Sequence, residues 1–529
     1  MADMAPPQWL PAKRKRMASA WERSGARKDS SVCPPPSDPK HQLDRSVSLT
    51  SSGSAAAAEG PALTRAQRTV VDMVVRERRD VFLTGSAGTG KTRVLREVAR
   101  LLAQRVALTA ATGTAALMLG GQTLHSWAGI GLAKISGKEL ANVILREKPS
   151  VYRRWISTEL LIIDEVSMVS GRLLDTLDQV GRLVRRCPGK PLGGLQVLLC
   201  GDFHQLPPTC LDEGWAFEAR CWPELVDVAA ELTEVVRADA GEQSLVHALS
   251  QLREGYADEE AWRFWSAAAA RPRQELKPPE IVPTNARADE INGEALARLL
   301  PSGSTLFKAV RFDEQRQASE PLGSSTSGVP EKLRLCVGAA VVLTKSVCLG
   351  PDSERLPNGT MCQVVGFSRI PEQLYNPRCL GFDSTAYGPL ERDFLAKHRG
   401  LLPKVRFPGD GRPDAPRLGP LEGTLHPVCF SNGARSGCKT SGMVQLPVRL
   451  GWALTVHRVQ GSNLTGAIVH LRGNFTTGQA YVALSRVRRA QDLWIEGGLP
   501  ERLPGGSVPQ FRPDPKVAAF YQQLRQPSA

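Results

Sequence analysis

Residues 80–95 read DVFLTGSAGTGKTRVL, and no other stretch restricts the fold so tightly. An apolar run over 81–83 enters Gly85, Ser86, Ala87, Gly88, Thr89 and Gly90, then passes through Lys91 and Thr92 into the amphipathic segment TRVLREVARLL. Strand, glycine-rich turn and helix in that order make a phosphate loop. The glycines let backbone N–H groups converge on phosphates, and the helix N-terminus adds positive potential. Lys91 then reaches the outer phosphates of a nucleoside triphosphate, and the Thr92 hydroxyl is placed to ligate magnesium.

Downstream, β-rich apolar segments alternate with helical ones, at 105–109, 160–163, 195–200, 280–282, 339–343, 467–471 and 493–496. Such alternation predicts an α/β fold with parallel sheets, whose ligands collect at the carboxyl ends of the strands. The segment LLIIDEVSMV delivers Asp164 and Glu165 to one such end. Asp164 is placed to hold magnesium through water, and Glu165 to act as general base on the water that attacks the γ-phosphate. A solvated turn would carry the same two acids. LQVLLCGDFHQLPP brings Asp202 and Gln205 to the same edge, where Gln205 can sense the γ-phosphate. Arg237 and Arg486 lie far from Lys91 in sequence; each reads either as a surface charge or as an arginine finger from a second sheet, closing a cleft over the nucleotide.

At 529 residues and 42% hydrophobic content the chain can fill two or three domains. No apolar run approaches the ~18 residues of a bilayer span and no signal-peptide pattern opens the chain, so no membrane partner is expected. The formal charge of +14 favours a polyanion. Eleven cysteines without a C-x-x-C pair suggest buried thiols in a reducing compartment. Residues 1–60 have the composition of a disordered basic tail. Its Lys13-Arg14-Lys15-Arg16 run reads equally as a nuclear-import signal or a solvated charge run, and its basic content also allows a mitochondrial presequence, against which Asp3 and Glu22 count. Without the tail the chain keeps 58 basic and 47 acidic residues, a net +11.

In order, GSAGTGKT, TAATGTAALMLGGQTLHSWAGI, IIDEVSMV, GGLQVLLCGDFHQLPP, LTEVVR, TVHRVQGSNL and GQAYVALSRVR resemble the motifs of PIF-type DNA helicases, superfamily 1 group B, over residues 63–524. The helical segment SGRLLDTLDQVGRLVRR resembles that family's signature and favours it over the RecD-type cousins. The resemblance implies two RecA-like parallel-sheet motor domains, at 61–232 and at 233–365 with 444–529. It also implies an SH3-like all-β insertion at 366–443 and a wedge-like insertion near 131–155. The implied activity is ATP- and Mg2+-dependent 5′-to-3′ translocation on single-stranded DNA, separating duplexes, RNA–DNA hybrids or G-quadruplexes in genome maintenance at telomeres, replication forks, repair sites or mitochondrial DNA. Single-stranded, forked or G-quadruplex DNA is the implied partner of a monomer able to pair on DNA, in the nucleus, the mitochondrion or both.

Carried over residue by residue, Lys91, Thr92, Asp164, Glu165, Gln205, Arg237, Gln460 and Arg486 match positions of the family's ATP site. Thr112, Gly113, His125, Thr455 and His457 match or adjoin its strand-contact segments. Gln67 matches the adenine-reading glutamine, while Thr64-Arg65-Ala66-Gln67 also reads as a helix capping box. His204, Ala238 and Arg458-Val459 depart from the family pattern and leave details of the DNA contact open. Trp127 and Phe203 are candidates for stacking on bases, although aromatic residues beside strands more often belong to a core. The rival class is a nucleotide-dependent switch or scaffold that does not translocate. It lacks support in an N/T-K-x-D guanine motif, since TKSV at 344–347 has no aspartate.

Overall fold

The computed structural model describes residues 9–11, 63–102, 105–131, 133, 135–236, 242–272, 278–313, 330–345, 347, 356, 360–375, 387–407, 421–431, 441–461, 464, 466–471 and 476–526. Arg237, Ala238 and the basic run 13–16 lie outside the described residues, as does all of the 1–60 tail except 9–11.

The first body is a seven-stranded sheet built from β1 (Trp9–Pro11), β2 (Val81–Gly85), β3 (Val106–Ala110), β4 (Gln122–Thr123), β5 (Leu160–Asp164), β6 (Gln196–Cys200) and β7 (Val228–Leu232). Their order is β1-β7-β2-β6-β5-β3-β4. All neighbours are parallel except β1, which lies antiparallel on β7 with Trp9 opposite Ala230. Every residue of β2 and of β5 is buried, because helices cover both faces. Helices Arg65–Val75 and Lys91–Leu102 fill one side around Val70, Val94 and Leu198. Helices Gly137–Glu147, Pro149–Ser157 and Gly171–Val184 fill the other, so the segment expected to form a wedge places Leu140, Ile144, Val151 and Trp155 in the core of this body.

The second body is a four-stranded parallel sheet in the order Ala453–Thr455, Glu280–Val282, Ala467–His470, Leu493–Glu496. Helices Gln243–Arg253, Glu259–Ala270 and Gln479–Leu484 pack on it. The strand at Ala340–Leu343, expected in a parallel sheet, is antiparallel to both Met361–Arg369 and Val448–Leu450. Its continuous apolar run was a correct sign of burial on two faces, but burial carries no information on direction. Val342 faces the second body's core while Val341 and Leu343 face a separate core of antiparallel strands. These antiparallel strands begin at Thr305, ahead of 366. The last helix, Pro515–Arg525, returns to the first body, where Val517 and Tyr521 are buried.

Candidate functional site: a nucleotide edge between two sheets

β2 leaves its sheet at Gly85, whose φ of +146° and whose position 2.5 Å (for a built Cβ) from the Leu232 carbonyl oxygen admit only glycine. Lys91 Nζ then donates to the carbonyl oxygens of Gly85 (2.6 Å) and Ser86 (3.1 Å), while Thr92 stays exposed one residue into the helix. Of the two readings of Gln67, the capping box is the one its bonds form. Its Oε1 accepts the Thr64 N–H (3.1 Å) and Thr64 Oγ1 accepts the Gln67 N–H (3.3 Å), closing the capping box. Its Nε2 donates to the Thr89 carbonyl (3.0 Å), tying the helix start to the phosphate loop.

β5 ends in Asp164, which is buried and accepts the Glu165 N–H at 2.9 Å. Burial, and then the charge of Glu165, pushes its carboxyl up to about 7, although the Glu165 N–H, the Cys200 thiol and Lys91 pull it down. Burial and Asp164 likewise push the Cys200 thiol up. Glu165 has φ +55°, a left-handed conformation that costs a branched or bulky residue about 1–3 kcal/mol and is kept where a side chain must be aimed. Its Oε2 accepts from Gln460 Nε2 at 2.9 Å, across 295 residues and from the other body.

β6 delivers Asp202 and Gln205, both buried. Burial opposes charge on Asp202, but Arg253, whose Nη2 and Nε donate at 3.0 and 3.1 Å, and His204 outweigh it and hold the carboxyl well below the usual carboxylate range. The Gln205 backbone is pressed against the turn before helix Gln479–Leu484. A Cβ on Gly478 would lie 2.3 Å from the Gln205 carbonyl oxygen and 2.8 Å from that of His204, and the glycine has φ +78°. From that helix Tyr481 accepts the Ala87 N–H of the phosphate loop at 2.9 Å. Arg486 follows, buried, donating to Val482 O (2.7 Å), Val459 O (3.4 Å) and Ser485 Oγ (2.7 Å). Burial pushes its guanidinium down, and the Glu165 charge partly restores it.

The donor set fits a nucleotide with a divalent cation. Lys91 and the glycine cradle would face its phosphates, and Thr92 and Asp164 would supply the oxygen ligands a hard cation takes. Among the described residues, the buried amide oxygens of Gln205 and Gln460 have no partner and suit a water.

The strand-contact candidates lie beside this edge. Thr112 Oγ1 accepts the Ala115 N–H (3.2 Å) at the start of helix Gly113–Met118, and His125 is half-buried, its imidazole pushed down by burial. Thr455 is buried ahead of the turn that exposes His457. A Cβ on Gly461 would stand 3.5 Å from the Cβ of Ala115 and 3.4 Å from Glu165 Oε1, so the two candidate strand-contact segments meet beside Glu165. Trp127 and Phe203 are corrected: both are core residues. Trp127 packs on Trp155 at 4.6 Å and Phe203 on Phe217 at 4.9 Å, since each follows a sheet strand on its helix-covered face. Sequence reading missed Tyr481, Arg253 and Tyr521, whose partners are local in space only; Tyr481 alone carried a signal, lying inside GQAYVALSRVR.

A phosphate loop, strand-end carboxylates and an arginine just after a helix packed on a second parallel sheet define a two-body nucleotide-binding α/β protein. The family profile described as PIF1-like helicase matches residues 62–251. The chain is 33% identical over 491 residues to the ATP-dependent DNA helicase PIF1 of Emericella nidulans, covering 87% of this chain and 62% of that protein. It superposes on the crystal structure of the Pif1 helicase from Candida albicans with a TM-score of 0.71 at 31% identity, covering 88% of this chain and 100% of that one. A Bacteroides Pif1 bound to single-stranded DNA shares the fold, with a TM-score of 0.63 at 23% identity over 88% of this chain and 97% of that one. The chain belongs to the PIF1-like helicase family. It spans 62 to 65% of the length of the first curated relatives.

Proposed function

We propose that the chain is an ATP-dependent DNA helicase that moves 5′ to 3′ along single-stranded DNA and separates the duplex ahead of it. The observation that carries this reading is the Gln460 Nε2 to Glu165 Oε2 bond of 2.9 Å. The general base on one sheet is held by an amide from the other, so relative movement of the bodies and water activation are coupled. Bound ATP with Mg2+ supplies the driving free energy. Lys91 and the loop N–H groups grip its phosphates, Thr92 and Asp164 hold the cation, and Glu165 takes the proton of the attacking water. Arg486, and Arg237 with it, places positive charge on the developing transition state. Gln205 reports the loss of the γ-phosphate into the contact at Gly478.

The relatives' name supports ATP and DNA as the reactants, and the Bacteroides protein bound to single-stranded DNA supports the strand as track. The net +11 outside the tail supports a grip on DNA phosphates that weakens steeply with salt. Forked DNA, RNA–DNA hybrids and G-quadruplexes in genome maintenance, a monomer that pairs on DNA, an SH3-like role for the antiparallel strands, and a nuclear or mitochondrial address belong to the same reading through the PIF-type motifs. The test is the ATPase rate with and without single-stranded DNA. Strong stimulation is expected; a rate indifferent to DNA would favour the switch or scaffold.

A further inference from the structure

The chain's last helix does more than close the fold. After Leu493–Glu496, the edge strand of the second sheet, the backbone runs to helix Pro515–Arg525 on the first body. Lys516 pairs with Glu218 (2.7 Å) and Arg525 with Glu231 (2.9 Å), while Val517 and Tyr521 are buried. The Tyr521 ring lies under the Arg253 guanidinium (4.9 Å) and against the His204 ring (4.4 Å).

Its hydroxyl has three partners. It donates to Asp202 Oδ1 (3.2 Å), accepts the Phe203 N–H (3.1 Å), and accepts from Thr84 Oγ1 (2.7 Å). One proton and two lone pairs are thereby all used. Thr84 is the residue before Gly85, and Asp202 and Phe203 begin the segment that carries Gln205. A single oxygen from the C-terminal helix therefore joins the strand that enters the phosphate loop to the strand end that carries the sensing glutamine. The Gln205 N–H donates to the Asp202 carbonyl (2.9 Å), so the backbone fixed at 202–203 sets the Gln205 contact with Gly478. Packing alone does not call for this atom, because phenylalanine would fill the same space and a buried hydroxyl is costly unless bonded.

We propose that Tyr521 is a positioning residue for hydrolysis: its hydroxyl locks the phosphate-loop strand and the 202–205 loop in one register, so that the state of the nucleotide reaches the second body. This inference rests on the motor reading above. The test uses the full chain with Tyr521→Phe, Thr84→Val, Thr84→Ser and the Tyr521→Phe/Thr84→Val double variant, measured in steady-state ATPase assays with saturating oligo(dT), alongside thermal melts. Tyr521→Phe should lower kcat about fivefold with KM for ATP within about twofold of the parent, the loss of one buried hydrogen bond used in turnover. Thr84→Val should match it, the double variant should lose no more than either single one, and Thr84→Ser should restore the parent rate. If Tyr521→Phe does not fold, Thr84→Val against Thr84→Ser carries the same comparison with the ring in place. A kcat within about 1.5-fold of the parent, a parallel rise in KM, or additive losses would overturn the inference while leaving the motor intact. A parent enzyme indifferent to oligo(dT) would overturn both.

Discussion

Asp80 and Asp164 stand at opposite ends of the first sheet, and burial raises both carboxyls, to about 6 and about 7. At the amino end Asp80 accepts the Val197 N–H (2.7 Å), and the Asp80 N–H donates to Asp227 Oδ2 (3.1 Å). Every partner there is backbone or a neighbouring structural acid. At the carboxyl end Asp164 sits among Lys91, Glu165 and Cys200, beside a glycine loop and a left-handed backbone. A perturbed carboxyl thus does not mark a site by itself; the end of the parallel strand does, because the helix N-termini and the second body converge only there.

The largest effects should separate the two ends outright. Lys91→Ala should abolish ATP binding. Glu165→Gln should leave ATP bound with turnover down at least about 100-fold, since one residue grips the ground state and the other moves the proton. Both variants should melt close to the parent protein, and DNA-stimulated turnover at the parent rate by either would remove it from the site.

Arg486→Ala should lower kcat about 100-fold while nucleotide affinity changes only a few-fold, because its charge serves the transition state. Equal losses in both quantities would recast it as a ground-state contact. Beyond the nucleotide, the exposed His457 should matter to the strand alone. His457→Ala should weaken single-stranded DNA binding about two- to tenfold, the worth of one hydrogen bond, with DNA-free ATPase unchanged. Unaltered affinity in a fluorescence titration would take that turn out of the DNA path.

The smallest effect belongs to the amino end and is one of stability. A buried acid with a raised folded pKa is penalised when charged, fully above about 6 and not at all below its unfolded value of about 4. Asp80→Asn should therefore stabilise the fold by about 1–2 kcal/mol at pH 7.5, a gain that shrinks as pH falls toward 4.5, with kcat unchanged. A stability loss at pH 7.5 would show that the Val197 bond needs the carboxylate.

What the sequence made legible were features whose partners lie within a few residues. The phosphate loop needs only its own strand, glycines and helix, and Asp164 and Glu165 announce themselves as charges ending an apolar run. The capping box at Thr64 was legible for the same reason, but the reach of Gln67 Nε2 to Thr89 was not, because it depends on how helix Arg65–Val75 packs. Arg253, Tyr481 and Tyr521 act across the chain, 51 residues to Asp202, 394 to Ala87 and 437 to Thr84, and no local pattern encodes such a meeting. The direction of Ala340–Leu343 was hidden because an apolar run buried on both faces looks alike in parallel and antiparallel sheets. Trp127 and Phe203 misled for a related reason: an aromatic residue beside a functional motif is equally suited to a base and to a core.

The proposed motor spends the closure of its two bodies over ATP on directed stepping along one strand. Duplexes with a single-stranded tail at one end only test it most directly, in the presence of ATP and Mg2+. A 5′ tail should support unwinding and a 3′ tail should not, with Glu165→Gln inactive on both. Unwinding from 3′ tails alone would contradict the polarity, and melting of both substrates without ATP would contradict the motor.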